Sequence, residues 1–153
     1  MANTFNFFIN IEIGGNTIRL DGQKIAGAVA DVKNAVTNGF HVEYHADSFD
    51  DAFSLGTLSD GAKLVSGLAA SLDPNFTLDV SGSITGMVSG TPLAGVVTAV
   101  TNNAELRITD IVIDTGTKTY KFGLGIDLGN SVTLSSPLTL GLRSFGFVVT
   151  HTS

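Results

Sequence analysis

Between Glu105 and Leu128 the chain reads ELRITDIVIDTGTKTYKFGLGIDL, and no other stretch constrains the fold as much. Tyr120, Phe122, Leu124, Ile126 and Leu128 fall on alternate positions, with Thr119, Lys121, Gly123, Gly125 and Asp127 between them. An apolar period of two marks a strand with one buried face. The preceding arm carries Leu106 and Ile108 on one phase and Ile111 and Ile113 on the other, so a β-bulge is expected near Thr109-Asp110. Asp114-Thr115-Gly116-Thr117-Lys118 supplies the small and polar residues of a hairpin loop with a positive-φ position.

A second hairpin is expected over residues 4–20. Phe5, Phe7, Ile9, Ile11 and Ile13 alternate with Asn6, Phe8, Asn10 and Glu12, Gly14-Gly15-Asn16 makes the turn, and Thr17 to Leu20 alternates again. Asp21-Gly22 ends that arm. Ile25, Ala28, Val29, Val32 and Val36 then recur at helical spacing up to Asn38-Gly39, which predicts a helix over about 23–38 with its stripe facing the core.

Ser48-Phe49-Asp50-Asp51 reads as a helix start, with Ser48 as cap and two acids in the first turn. A further helix is expected over about 60–72 from Leu64, Val65, Leu68 and Leu72, although Gly61 and Gly67 weaken it. Phe76, Leu78 and Val80 alternate as a strand. Residues 82–90 fit either a strand end or a turn of helix. Thr91-Pro92 opens another helix through Leu93, Val96, Val97 and Val100. After Leu128 a turn at Gly129-Asn130, a brief strand at Val132 and Leu134, and a break at Ser135-Ser136-Pro137 are expected. The last strand runs through Leu138, Leu140 and Leu142, changes phase near Arg143-Ser144, and continues with Phe145, Phe147 and Val149. The similarity of Ile25–Val29 to Leu93–Val97 has no fixed period and is read as coincidence.

These elements predict a single α+β domain over residues 1–153. Its core is an antiparallel sheet of about six to eight strands, with three or four short helices packed on one face and the first and last strands close together. A chain of 153 residues buries roughly two-thirds of its unfolded surface, so packing alone suffices without staples. There are no cysteines, which excludes disulfides and thiolate chemistry.

Charge narrows the function classes. Eight Lys and Arg are scattered among fourteen Asp and Glu, for a net charge of −6, so no basic cluster is present to meet a phosphate backbone or an anionic membrane. No apolar run is long enough to span a bilayer, and the N-terminal stretch lacks the charged start and solid apolar run of a cleavable signal. These features suggest a cytoplasmic location or export by a route without such a signal. Phosphate-cradling glycine loops and nucleophile elbows are also missing, since Gly14-Gly15 sits in a hairpin and Gly123-x-Gly125 inside a strand.

One segment suggests site chemistry. In an extended chain His41, Glu43, His45 and Asp47 project from one face, where imidazoles and carboxylates are candidate ligands for zinc or another divalent cation, or an acid/base pair. The same alternation also describes a solvated strand face. Asp47, Asp50 and Asp51 lack the spacing of a calcium loop.

Only 14% of residues are charged against 43% hydrophobic, with Gly, Thr, Ser and Asn making up the remainder of a neutral surface that is easily buried against copies of itself. The expected function is therefore a non-enzymatic, self-assembling structural protein without a cofactor. It would form a filament, tube, shell or particle, with Phe5, Phe7, Phe8, Phe145, Phe147 and Val149 as candidate contacts. The alternatives are a module enclosing an apolar small molecule among Phe5, Phe7, Tyr120, Phe122, Phe145 and Phe147, and a metal-binding or hydrolytic protein using the His41 to Asp47 face.

Overall fold

The computed structural model describes residues 3–91, 104–133 and 141–153. Its elements follow the order β1 (Asn3–Ile13), β2 (Asn16–Gly27), α1 (Val29–Thr37), β3 (His41–His45), β4 (Phe53–Thr57), α2 (Leu58–Leu72), α3 (Val80–Val88), β5 (Glu105–Asp114), β6 (Thr119–Thr133) and β7 (Gly141–Thr152). The strands form one seven-stranded sheet in the order β1-β2-β3-β5-β6-β7, with β4 paired to β5 beside β3, and every pairing is antiparallel. This is the α+β class expected. The first and last strands are not neighbours, because the sheet is laid down from one edge to the other.

The central hairpin forms as its alternation requires. β5 and β6 pair from Glu105↔Asp127 to Asp114↔Thr119, with the register shift between Ile108 and Asp110. That bulge divides the other edge of β5: β4 pairs with Phe53↔Ile108 and Ser54↔Arg107, whereas β3 pairs with residues 110–114. The Thr109 carbonyl, displaced from the ladder, accepts the Ala46 N–H at 2.8 Å. In the loop, the Asp114 carboxylate accepts the Thr117 N–H at 2.9 Å and Lys118 takes φ +54°.

The first hairpin turns on Gly14 and Gly15, both at positive φ (58° and 79°), the geometry that matches strand twist in a two-residue turn. β2 does not stop at Asp21-Gly22. A bulge opposite Phe7 carries it on to Gly27, so Ile25 is a strand residue facing Phe5. Helix α1 is therefore shorter than the spacing of its apolar residues implied. None of its residues is buried, and Val29 is 73% exposed, because the strand has taken the first part of the stripe that would have faced a core.

Helices α2 and α3 form where their caps allow. Thr57 Oγ1 accepts the Asp60 N–H and Asp79 Oδ1 accepts the Gly82 N–H. Val65 and Ala69 of α2 and Val80 and Ile84 of α3 share the core with Ile18, Leu20, Val42, Leu106, Ile108, Ile111, Phe122, Leu124 and Ile126 of the sheet. Gly61 lets α2 approach closely, its Cα facing Leu106.

Several local expectations give way to pairing elsewhere. Residues 48–51 form a turn held by Ser48 Oγ and Asp51, not a helix start, and Phe53 enters β4 because its backbone finds β5. Residues 76–79 are not a strand. They connect α2 to α3, and Phe76 stacks on Phe122 at 5.6 Å. Helix α3 takes in Val80, expected to end a strand, and most of the segment 82–90 that fitted either a strand end or a turn of helix. Gly129-Asn130 does not end a strand: β6 passes through Gly129 at φ +78° and resumes pairing at Val132↔Leu142 after a register shift, which is the counterpart of the phase change at Arg143-Ser144. The helix expected from Pro92 to Asn102 and the segment from Leu134 to Leu140 lie outside the described residues. Among the described residues, no helix is long and apolar enough to cross a membrane.

Candidate functional site

The face of the sheet opposite the core carries a row of alternating charge. β3 is short, and its phase is set by Val42, which is fully buried against the core. His41, Glu43 and His45 therefore share the open face. The antiparallel register then places Asp114 across from His41 and Asp110 across from His45. His41 Nδ1 lies 3.0 Å from Asp114 Oδ2, and His45 Nδ1 lies 2.7 Å from Asp110 Oδ1. Glu43 sits between the two rings, 3.4 Å from His41 Nε2 and 3.3 Å from His45 Nε2.

Each imidazole thus has a carboxylate at both ring nitrogens, an arrangement that favours the doubly protonated cation. The pKa of His41 is raised above its ordinary value, chiefly by the bond to Asp114, with partial burial opposing and Glu43 adding. His45 is raised in the same way, chiefly by Asp110. The Asp114 carboxyl is held below its ordinary range, first by the Thr117 backbone N–H and then by His41.

Of the residues singled out from the sequence, His41, Glu43 and His45 are brought together, whereas Asp47 lies beyond the end of β3. Asp110 and Asp114, which the sequence reading did not assign, complete the row. Their four-residue spacing equals that of the two histidines, which antiparallel pairing turns into two matched contacts. Among the described residues, no group of three or more His, Asp or Glu is arranged to hold a metal ion.

A second polar cluster fixes the turn at residues 47–52 on the same face. Arg107 Nε bonds Glu105 at 2.7 Å, and its Nη1 donates to the carbonyls of Phe49 and Asp50 at 3.3 and 3.2 Å. The Phe49 ring lies over Gly125, where a Cβ would come within 2.4 Å of it. Next to it is a hollow of about 340 Å³ lined by Phe49, Asp50, Asp127, Arg143 and Ser144. A third contact anchors the chain end. His151 stacks on Phe76 at 4.5 Å, and its Nε2 reaches Asp73 Oδ2 at 3.1 Å.

The aromatic and aliphatic candidates divide between the two faces. Tyr120 and Phe122 are buried in the core, with Phe7, Phe145, Phe147 and Val149 partly buried against it. Phe5 is also partly buried. Phe8 points to the open face and remains 43% exposed although the Arg19 guanidinium lies 3.8 Å above its ring. Val148, which the sequence reading passed over, is 62% exposed. The signal was present in both strands: each is an apolar residue on the polar phase, Phe8 between Phe7 and Ile9, and Val148 between Phe147 and Val149.

Among the described residues, these candidates lie on β1 and β7, the two end strands of the path β1-β2-β3-β5-β6-β7. β1 has 11 residues with Glu12 as its one Asp, Glu, Lys or Arg, and β7 has 12 residues with Arg143 as its one. Neither contains proline. Comparison of the chain with protein-family models, with curated proteins and with solved structures finds no match.

Proposed function

We propose that this protein is a non-enzymatic structural subunit that assembles with copies of itself through the edges of its sheet. One observation carries the reading: both edge strands are long and almost uncharged, and each presents an exposed apolar side chain, Phe8 on β1 and Val148 on β7. An edge strand exposes a row of backbone donors and acceptors that templates pairing with another chain. Proteins that stay apart guard such edges with lysine, proline, strong bulges or short strands. Here 11 and 12 residues of edge lack lysine and proline. The low overall charge, 14% of residues, lessens the electrostatic penalty of bringing copies together.

The test is size-exclusion chromatography with light scattering over a wide concentration range, followed by electron microscopy of the eluted material. Regular assemblies many times the single-chain mass are the expected result. A strictly monomeric protein at every concentration overturns the reading.

A further inference from the structure

We propose that the copies join head to tail, β1 of one chain adding to β7 of the next in one particular antiparallel register. This rests on the self-assembly reading above and specifies its contact. Direction comes first. The path β1-β2-β3-β5-β6-β7 has six strands, each antiparallel to its neighbour, so β1 and β7 run in opposite directions. A second copy set beside the first in the same orientation therefore offers its β1 antiparallel to the side of β7 that no described strand pairs with, and the sheet continues with its faces matched.

Register comes second. Side chains alternate between faces, so registers that keep the faces matched differ by steps of two residues. One of them sets Phe8 against Val148, the exposed large apolar side chains of the two edges, 43% and 62% exposed. The same register sets Ile11, Ile9 and Phe7 against Phe145, Phe147 and Val149, all only partly buried on the core side. A step of two in either direction leaves Phe8 opposite Gly146 or Thr150.

Charge agrees with this choice. Glu12 falls opposite Ser144, beside Arg143, so the single charged residue of β1 meets the single Lys or Arg of β7 at the same end of the contact. Two-fold pairing of β1 with β1 centred on Phe8 would instead put Glu12 against Thr4, with no opposite charge, and β7 with β7 centred on Val148 would set Arg143 against Ser153, with no acidic residue of the partner strand to meet it. A contact between two different edges repeats indefinitely, closing into a ring or extending into a filament according to the rotation between copies.

The chain has no cysteine, so introduced thiols report only the designed contact. Full-length Phe8→Cys and Val148→Cys proteins, mixed and treated with a short bismaleimide, are expected to give cross-linked dimers, whereas neither does alone. A second pair guards each edge without cross-linking. Phe8→Lys and Val148→Lys each leave one edge intact, so each alone is expected to be monomeric, while an equal mixture forms dimers that grow no further. Both positions are exposed, and a wild-type circular dichroism spectrum with a cooperative unfolding transition checks that the variants fold. Cross-linking of either cysteine variant by itself, or dimers of either lysine variant by itself, overturns the head-to-tail contact in favour of a two-fold one. Assembly of the wild type with no cross-link in the mixture overturns edge pairing in this register and leaves self-assembly standing. A monomeric wild type overturns both.

Discussion

Gly61 and Gly67 lie in the same helix, yet alanine at the first is expected to destabilise the protein and at the second to stabilise it. Intrinsic propensity treats the two alike: glycine to alanine inside a helix gains about 0.8–1.0 kcal/mol. The surroundings differ. A Cβ at Gly67 meets nothing within 4 Å, so the Gly67→Ala variant keeps the full gain of about 1 kcal/mol. A Cβ at Gly61 would sit 2.9 Å from Leu106 Cβ and Cδ2 and 3.1 Å from Leu55 Cβ. Leu106 is fully buried and Leu55 is 4% exposed, so neither can swing into solvent. Forcing a methyl group into such a core costs about 1–3 kcal/mol, which exceeds the propensity gain and leaves Gly61→Ala about 1 kcal/mol less stable than wild type. The two variants should then differ by about 2 kcal/mol. For a chain of this size that is about 4–8 °C in unfolding temperature. Urea and thermal unfolding followed by circular dichroism, at one protein concentration so that any association contributes equally, measure the difference. Equal upward shifts in both variants would refute the seating of α2 on Leu106.

The row on β3 and β5 makes stability depend on pH in a stated direction. Both imidazoles are raised above 6.5, so their contribution is complete below that value and disappears as pH rises through the folded pKa values. Asp114 is lowered, so its contribution is present above the ordinary carboxylate range and disappears as acid protonates it. The row is therefore most stabilising in mild acid, and NMR titration should find both imidazoles ionising above 6.5; either one ionising below it contradicts the geometry. Phe76→Ala removes the ring between Phe122 and His151 and should cost about 3–5 kcal/mol in urea unfolding, with a loss below 1 kcal/mol inconsistent with this stack. Lys118 occupies the left-handed region at φ +54°, so Lys118→Gly should raise stability by about 1 kcal/mol, and a lower unfolding midpoint would refute that.

Much of the fold was legible because it depends on near neighbours. Alternation from Tyr120 to Leu128 marked β6, the phase slip at Thr109 marked the bulge, Gly14-Gly15 marked the first turn, and Leu64, Val65, Leu68 and Leu72 marked α2. Phe49 and Phe53 have helical spacing, but Phe53 pairs with Ile108 and Leu55 reaches the core, so the segment is a turn followed by a strand. Phe76 alternates with Leu78 like a strand residue, yet it is held by ring stacking between β6 and β7. Ile25 belongs to a helical stripe by spacing and to β2 by its pairing with Phe5.

The candidate site divides in the same way. That His41, Glu43 and His45 share a face follows from the geometry of any strand, and that Phe8 and Val148 oppose their neighbours' phase can be read directly. That Asp110 and Asp114 meet the two histidines, and that β1 and β7 end the path of described strands, follow from strand order and register. The sequence by itself determined where the chain extends, turns and bulges, because backbone sterics and side-chain period act over a few residues. Only the tertiary structure decided which strands became neighbours and which became edges. Those choices depend on apolar surface and hydrogen-bond partners gathered from the whole chain at once.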